Sequence, residues 1–260
     1  MNSQPPVQFG RTADDYRRHR AGFPDVFFER IAAHGVGTAG QSLLDLGTGT
    51  GTLARGFALR GAAVTGLDPS DDMLTQARAL DAEAGITVGY VTAKAEATGL
   101  DDAAFDSVTA GQCWHWFDRP RAAAECRRIL KPGGALAIAH FDWLALPGNV
   151  VEATETLIRQ HNRGWTMWGS TGIYRDWLTD MAVAGFEALE SFSFDVAVPY
   201  SQEAWRGRIR ASAGVGASLV DAAVARFDEA HAALLETRFP DEPLAIPHRV
   251  FAAVGRKPTG

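Results

Sequence analysis

The chain of 260 residues contains little cysteine and no excess of basic residues. Its two cysteines, Cys113 and Cys126, have neither a pairing pattern nor the spacing of metal ligands. This argues against a disulfide-stabilised protein, and we expect no metal. The formal net charge is −6. We therefore expect no nucleic-acid partner, because neutralising phosphates requires concentrated lysine and arginine.

Long apolar runs and a targeting segment are also absent from the sequence. No stretch approaches the length of a membrane span, and residues 1–6 lack the basic-then-apolar layout of a signal peptide. We therefore expect a cytoplasmic protein without a membrane partner. The remaining composition, 46% hydrophobic and 22% charged, is ordinary for a globular protein.

The most informative segment is residues 43–51, Leu-Leu-Asp-Leu-Gly-Thr-Gly-Thr-Gly. Glycines at alternate positions let the backbone turn sharply and approach a ligand, and the helix predicted to begin at Thr52 offers free N–H groups. The next apolar strand, residues 63–67, ends at Asp68, where open α/β folds hold ribose hydroxyls. The pattern predicts a nucleoside-cofactor site. The alternative is a tight strand-to-helix turn that binds nothing.

The spacing of the glycines distinguishes between cofactors. The dinucleotide fingerprint G-x-G-x-x-G/A would require glycine or alanine at position 52, where Thr52 stands. The pattern here, D-x-G-x-G-x-G, resembles motif I of the class I S-adenosyl-L-methionine (SAM) methyltransferases. SAM has a positive sulfonium and no phosphate, so the Asp45 carboxylate beside the loop suits it electrostatically. An NAD-dependent oxidoreductase is the less favoured alternative.

The first 140 residues alternate strand and helix, which is typical of a parallel sheet covered on both faces. We predict an α/β, Rossmann-like class I methyltransferase fold with a seven-stranded, mostly parallel sheet. Ser70 is predicted to cap a helix, residues 86–91 to form the third strand and residues 131–134 to form a turn. Residues 1–260 are predicted to form one domain, with a cofactor-binding core at 9–140. Helical insertions at 142–186 and 199–240 are predicted to form a substrate cap.

Four further segments are similar to the small-molecule branch of SAM methyltransferases that includes trans-aconitate methyltransferase. They are residues 9–24, 93–97 with 105–108, 112–118 and 131–134, and the His-Trp-Phe at 115–117 is the most specific part. The resemblance covers about residues 9–140 and beyond them is one of architecture only. It implies a SAM cofactor, the product S-adenosyl-L-homocysteine (SAH) and a small-molecule methyl acceptor.

The resemblance also implies which residues hold the cofactor. Tyr16 and Arg20 would reach the amino-acid end of SAM, and the segment around Ala95 and Glu96 would read the adenine edge. Lys94 departs from the family pattern, because it cannot accept a hydrogen bond from the adenine amino group, and we expect it to point to solvent. The expected cofactor-binding residues are Tyr16, Arg20, Asp45, Gly47, Thr48, Gly49, Gly51, Asp68, Pro69, Met73, Ala95, Glu96 and Gln112.

His115 is the first candidate for a general base. It follows the fourth strand, and an imidazole with a pKa near 6.5 can accept a proton from a substrate hydroxyl. The alternative is a structural histidine held between its neighbouring tryptophans. His140 and Asp142, just after the fifth strand, are competing candidates by the same positional argument.

Five of the seven tryptophans lie between residues 143 and 205. Either they all belong to the core of the insertions, or some line an apolar acceptor pocket. The tryptophans expected to line the substrate pocket are Trp114, Trp116, Trp143, Trp165 and Trp168. Arg206, Arg208 and Arg210 are predicted to form a solvated helix face, with capture of a substrate carboxylate as the alternative.

These observations predict a SAM-dependent methyltransferase that acts on a small molecule, by O-methylation of a hydroxyl or a carboxylate. The rival from another class is a SAM-binding protein without catalysis. The absence of an Asn-Pro-Pro-Tyr motif also disfavours nucleic-acid modification. We expect a monomer or a homodimer. The acceptor and its accepting atom cannot be read from the sequence.

Overall fold

The computed structural model describes residues 22–260. Tyr16, Arg20 and most of the first segment of the family resemblance lie outside the described residues. The helices are α1 (Asp25–Ala33), α2 (Thr52–Ala58), α3 (Asp71–Glu83), α4 (Arg119–Ile129), α5 (Val150–His161), α6 (Asp176–Val183), α7 (Gln202–Arg210) and α8 (Asp221–Arg238). The strands are β1 (Ser42–Leu46), β2 (Ala63–Asp68), β3 (Gly89–Thr92), β4 (Phe105–Gly111), β5 (Leu130–Trp143), β6 (Glu187–Tyr200) and β7 (Leu244–Arg256).

The strands form one seven-stranded sheet in the order β3-β2-β1-β4-β5-β7-β6. Each neighbouring pair from β3 to β5 is parallel. The order of the strands reverses between β1 and β4. In open α/β sheets ligands bind at such a reversal, beyond the carboxyl ends of the strands. The predicted α/β fold with a seven-stranded, mostly parallel sheet is confirmed.

The central strand β1 explains why this fold forms. Leu43, Leu44 and Leu46 are fully buried, as expected for a parallel strand covered on both faces. The helix after β2 begins where predicted, because the Met73 N–H donates to Ser70 Oγ at 3.4 Å and Ser70 is the N-cap of α3.

Two local predictions are wrong. The segment 131–134 belongs to β5 instead of forming a separate turn, because Gly133 N donates to Lys257 O at 2.9 Å and Lys257 N donates to Gly134 O at 2.9 Å. The third strand begins at Gly89, later than predicted. Ile86 N still donates to Asp81 O at 3.0 Å, so this part of the chain completes the end of α3.

The chain divides into two compact units, and three of the boundaries fall within β5, β6 and β7. The core unit contains, among the described residues, Gly22–Phe141, Ile173–Phe194 and Val250–Gly260. The helical unit contains Asp142–Gly172 and Asp195–Arg249. Residues 173–186, which we placed in the first insertion, group with the core unit. The single domain and the substrate cap stay predictions.

Each unit has its own apolar cluster. In the core unit it includes Leu44, Leu67 and Trp114, and in the helical unit it includes Ile158, Trp205 and Phe227. Within residues 22–260, no helix combines the length and the apolar character needed to cross a membrane.

Candidate cofactor site

The glycine loop between β1 and α2 is left open to a ligand at one position. Gly47, Gly49 and Gly51 have φ of 58°, 55° and 74°, in the left-handed region that favours glycine. A Cβ at Gly47 would lie 2.9 Å from Cys113, and one at Gly51 would lie 2.5 Å from the Tyr90 hydroxyl. A Cβ at Gly49 would meet nothing within 4 Å. The outer two glycines are thus required by packing, and Gly49 presents bare backbone to open space.

Backbone hydrogen bonds attach this loop to the end of β2. Thr48 N donates to Leu67 O at 3.0 Å, and Gly51 N donates to Thr48 O at 2.9 Å. Gly49 N donates to Asp68 Oδ2 at 2.9 Å. The position of the Asp68 carboxylate and the conformation of the loop are therefore coupled.

Asp68 retains hydrogen-bonding capacity for a ligand. Its Oδ1 accepts from Ser70 N at 2.9 Å, in addition to the bond that Oδ2 accepts from Gly49. Burial raises the pKa of the Asp68 carboxyl, and the two backbone hydrogen bonds oppose that rise. An ionised carboxylate has about four lone-pair sites, so about two remain for the hydroxyls of a ribose.

Asp45 supports the loop from the interior. It is 1% exposed, and its two oxygens accept from the hydroxyls of Thr48 and Thr109 at 2.7 Å each. Burial raises the pKa of Asp45 to about 6, against the opposing effect of those hydroxyls. With both oxygens hydrogen-bonded inside the protein, Asp45 fixes Thr48. Its expected role in cofactor binding stays a prediction.

The residues expected around adenine differ in exposure. Met73 is half-buried and Pro69 is exposed, whereas the Ala95 side chain packs into the core cluster. Only backbone groups at Ala95 are thus offered to a ligand. Glu96 Oε1 accepts from Asp118 N at 2.8 Å, and Lys94 is exposed as expected.

A sharp bend follows β4. Gln112 has a φ of 62°, which is uncommon for a residue with a side chain, and its N–H donates to Ala139 O at 2.8 Å. Trp114–Trp116 then form a single 3₁₀ turn. The turn buries Trp114 completely and leaves His115 and Trp116 exposed.

Two of the three candidate bases lie close together in the core unit. The ring centroids of His115 and His140 are 5.5 Å apart. His140 is 7% exposed, its Nδ1 is 3.3 Å from the Tyr174 hydroxyl, and Tyr174 stacks on Trp177. The exposed His115 is therefore better placed to meet an acceptor. Asp142 belongs to the helical unit, where its Oδ2 accepts from Ser170 Oγ at 2.9 Å.

The expected pocket tryptophans separate into buried and exposed residues. Trp114 is fully buried and donates from Nε1 to Asp180 at 3.0 Å, and Trp165 packs in the core of the helical unit. Both rings are therefore buried, and the pocket role expected for these two tryptophans stays a prediction. Trp116 and Trp168 are 45% and 49% exposed, and the half-buried Trp143 donates to Glu155 Oε1 at 2.8 Å.

The three arginines of α7 do not share one solvated face. Arg206 and Arg210 both pair with Asp228, whereas the guanidinium of Arg208 lies 4.7 Å from the centroid of the Trp143 ring. Contact with the Trp143 ring and pairing with the half-buried Asp228 thus determine where these side chains lie, and the alternating spacing indicated neither.

Sequence reasoning also missed Arg55, Asp81 and Tyr90, which support the glycine loop from the protein side. One signal was available. Asp81 occupies the same helical stripe as Leu74 and Ala77, so an acid was to be expected among buried residues of α3. Over the described range 22–260, no group of three or more His, Cys, Asp or Glu side chains could hold a metal ion.

Comparison with known proteins finds relatives that match the region containing the glycine loop and Asp68. A family model described as "Methyltransferase domain" matches residues 44–138. An uncharacterized methyltransferase of Mycobacterium tuberculosis is 35% identical over 132 residues, which are 51% of this chain and 51% of that protein. A malonyl-[acyl-carrier protein] O-methyltransferase of Erwinia billingiae is 35% identical over 136 residues, 52% of each chain. The chain therefore spans about half the length of the curated relatives it matches.

Solved structures match nearly the whole chain at lower identity. A proposed type II methyltransferase from Anaeromyxobacter dehalogenans superposes with a TM-score of 0.64 at 22% identity, covering 93% of this chain and 99% of that one. A phosphoethanolamine N-methyltransferase of Haemonchus contortus, in complex with SAH, gives 0.56 at 20% identity, covering 97% and 61%. The [4+2]-cyclase SpnF gives 0.55 at 23%, covering 93% and 84%. The chain has the Rossmann-like fold of methyltransferases.

Proposed function

We propose that this protein is a SAM-dependent methyltransferase that transfers a methyl group to a small-molecule acceptor. The observation that carries the proposal is the pairing of Gly49, whose backbone faces open space, with the Asp68 carboxylate at the end of β2. The match to a methyltransferase domain over residues 44–138 includes both residues and supports the proposal.

The residues present fit SAM. The remaining lone pairs of Asp68 would receive the ribose hydroxyls, and the bare backbone of Gly49 would allow close approach. The half-buried Met73 side chain, with backbone groups near Ala95, would contact adenine. When bound, SAM supplies a methyl group activated by a positively charged sulfur. We propose that Tyr16 and Arg20 hold its amino-acid end.

O-methylation of a hydroxyl or a carboxylate is the acceptor chemistry that we favour. A relative is named a ubiquinone biosynthesis O-methyltransferase, of Azoarcus sp., at 39% identity over 38% of this chain and 44% of that protein, and the malonyl relative is also named an O-methyltransferase. A carboxylate acceptor is already charged. A hydroxyl must lose a proton, which the exposed His115 could accept, and His140 and Asp142 are the fallback bases.

The proposal includes several finer assignments. The His-Trp-Phe at 115–117 supports the branch that includes trans-aconitate methyltransferase. Cys113 and Cys126 form no disulfide, which supports a cytoplasmic location. We propose a monomer or homodimer without a nucleic-acid partner, with Trp116, Trp143 and Trp168 as pocket residues.

The test is cofactor binding followed by methyl transfer. SAM and SAH should raise the melting temperature of the protein, because ligands that bind only the native state stabilise it, and NAD(P) should not. Stabilisation by NAD without a response to SAM would contradict the proposal. With labelled SAM and a panel of small carboxylates and phenols, we expect label in the acceptor. SAH binding without transfer to any acceptor class would favour the non-catalytic alternative, since SpnF shows that this fold is not confined to proteins named methyltransferases.

A further inference from the structure

We infer that Arg55, Asp81 and Tyr90 form a positioning network that holds the glycine loop in its cofactor-binding conformation. The inference rests on the proposed function, since it concerns the affinity of the same site. None of the three residues lies in the loop itself. Arg55 is in α2, Asp81 in α3 and Tyr90 in β3.

The centre of the network is the buried Asp81 carboxylate. Its Oδ1 accepts from Arg55 at 2.7 Å, and its Oδ2 accepts from the Tyr90 hydroxyl at 2.7 Å. The side chains of Arg55 and Asp81 are 16% and 5% exposed. Both oxygens of the acid are thus fixed by partners from two other elements.

The network contacts the loop at two adjacent residues. Arg55 donates from its second terminal nitrogen to Thr50 O at 2.9 Å, and Thr50 is itself 4% exposed. The Tyr90 hydroxyl lies 2.5 Å from the place a Cβ on Gly51 would occupy, so it lies directly beneath that glycine. These contacts fix the orientation of the Thr50 carbonyl and the space below the loop.

Stability alone does not explain a buried ion pair at this place. Removing two charges from water costs about as much as their attraction returns, and apolar replacements are often no less stable. What the pair supplies is fixed geometry. Arginine stays charged and presents a planar fork that can bridge a carboxylate and a carbonyl together. Burial, together with Asp81, raises the pKa of Tyr90 far above its usual value, so its hydroxyl remains a donor.

The fixed carbonyl lies next to the ligand-facing residue. Thr50 directly follows Gly49, whose N–H is bonded to Asp68, the proposed ribose anchor. The Thr50 carbonyl shares a peptide group with Gly51 N–H, which donates to Thr48 O at 2.9 Å, and the Thr48 carbonyl shares a peptide group with Gly49 N–H. If the Thr50 carbonyl turns, the bond to Thr48 O is lost, and the Gly49 N–H that holds the Asp68 carboxylate is no longer fixed. Arg55, Asp81 and Tyr90 are therefore positioning residues that act through the loop backbone.

The experiment compares Arg55→Lys and Tyr90→Phe with a matched control, Arg249→Lys. Arg249 also bridges a carboxylate and a carbonyl, by bonds to Asp195 at 2.6 and 2.7 Å and to Thr171 O at 2.9 Å, but it lies in the helical unit. SAH affinity is measured by calorimetry well below the melting temperature, and near-UV circular dichroism checks that each variant is folded.

We expect SAH affinity to fall about tenfold or more in both network variants and less than twofold in the control. Without ligand, amide exchange at Gly49 should accelerate at least about tenfold in the network variants only. Where Arg55→Lys does not fold, Tyr90→Phe decides. Wild-type affinity in Tyr90→Phe, with unchanged exchange at Gly49, would overturn this inference alone. A wild-type protein that binds no SAH would overturn the proposed function and this inference with it.

Discussion

The core unit and the helical unit use buried polar groups in different ways. In the core unit, both oxygens of Asp45 and both oxygens of Asp81 accept hydrogen bonds, and the partners include Thr48 and Arg55, which determine the shape of one loop. In the helical unit, the fully buried His231 has an Nδ1 without a hydrogen-bond partner in the described part of the chain. The core unit thus gathers hydrogen-bonded acids around one loop, and the helical unit contains a buried ring with an unused hydrogen-bonding atom.

The hydrogen bonds of the helical unit define the state of this histidine. Thr154 Oγ1 donates its single proton to Val150 O at 2.8 Å. The same threonine oxygen accepts a hydrogen bond from Trp205 Nε1 at 3.1 Å. His231 Nε2 is also 3.1 Å from that oxygen. Because the threonine proton is already used, Nε2 carries the imidazole proton and Nδ1 is a bare acceptor. Burial lowers the pKa of His231 to about 4.

Gly49→Val should cause the largest loss of SAH affinity of the predicted substitutions. A branched side chain there would occupy the open space that we assign to the ligand, so SAH affinity should fall about 1,000-fold or beyond detection. Gly148→Val is the control from the helical unit, because Gly148 also has positive φ, of 81°, and open space around its Cβ. Both variants should lose similar stability. Unchanged SAH affinity in Gly49→Val would show that the ligand does not approach here.

Turnover measurements should reveal which unit supplies a base. If His115 is the general base, His115→Gln should lower turnover about 10²–10⁴-fold with SAH affinity nearly intact, and Asp142→Asn should change it little. The wild-type pH–rate profile should then contain an ionisation that the His115 variant lacks. Near-wild-type turnover in His115→Gln would refute the base role and leave a carboxylate acceptor, or one of the fallback bases.

Acidification should affect the two units in opposite directions. Asp45 has a native pKa raised to about 6, so its contribution to stability is present below pH 3.8 and lost as the pH rises through 6. His231 has a native pKa lowered to about 4, so its contribution is present above pH 6.5 and lost as the pH falls through 4. Each contribution is about 3 kcal/mol, and in the wild type they oppose each other.

Urea unfolding at pH 4 to 7.5 tests the predicted direction of the pH dependence for each residue with one substitution at a time. As the pH falls, the free energy of unfolding of the wild type should decrease relative to that of His231→Leu and increase relative to that of Asp45→Asn. Measurements on the wild type alone would not reveal either contribution, because the pH dependences that Asp45 and His231 give to the free energy of unfolding partly cancel. Parallel curves for the wild type and either variant would show that the residue concerned does not titrate in this range.

Local patterns predicted most of the fold and the outline of the site. Three buried leucines in β1, a serine that caps α3 and an acid at the end of β2 are each visible within a few residues of sequence. Segment 131–134 was mispredicted because its hydrogen bonds go to Lys257, which is far along the chain.

The positioning network beside the glycine loop could not be predicted either, because its members are far apart in the sequence. The pair Arg55–Asp81 spans 26 residues, and only the tertiary fold brings these side chains from α2 and α3 together. Nor does the order Trp-His-Trp show which tryptophan is buried. That depends on the 3₁₀ turn, which directs Trp114 to Asp180 and leaves Trp116 exposed.

Asp68→Ala should produce the smallest effect of the predicted changes. It can be compared directly with a substitution in the helical unit, where Asp228 is a similarly hydrogen-bonded acid. Asp68 binds two backbone amides at the loop, whereas Asp228 accepts from Arg206 and Arg210. The pKa of Asp228 is lowered, since these two arginines outweigh the effect of burial. Asp68→Ala should weaken SAH binding by about 1.5–3 kcal/mol, the value of a charge-assisted hydrogen bond plus its unpaired partner.

Asp228→Ala should instead lower the melting temperature, because Arg206 and Arg210 would then share the exposed Glu203 in place of the half-buried Asp228. It should leave SAH affinity within twofold of wild type. Calorimetry and thermal unfolding measure SAH affinity and stability in both variants. We expect Asp68→Ala to lose mainly affinity and Asp228→Ala to lose mainly stability. If Asp68→Ala loses stability and keeps its affinity, the carboxylate only braces the loop and the ribose is held elsewhere. If Asp228→Ala loses SAH affinity as well, cofactor binding depends also on the Asp228 ion pairs of the helical unit.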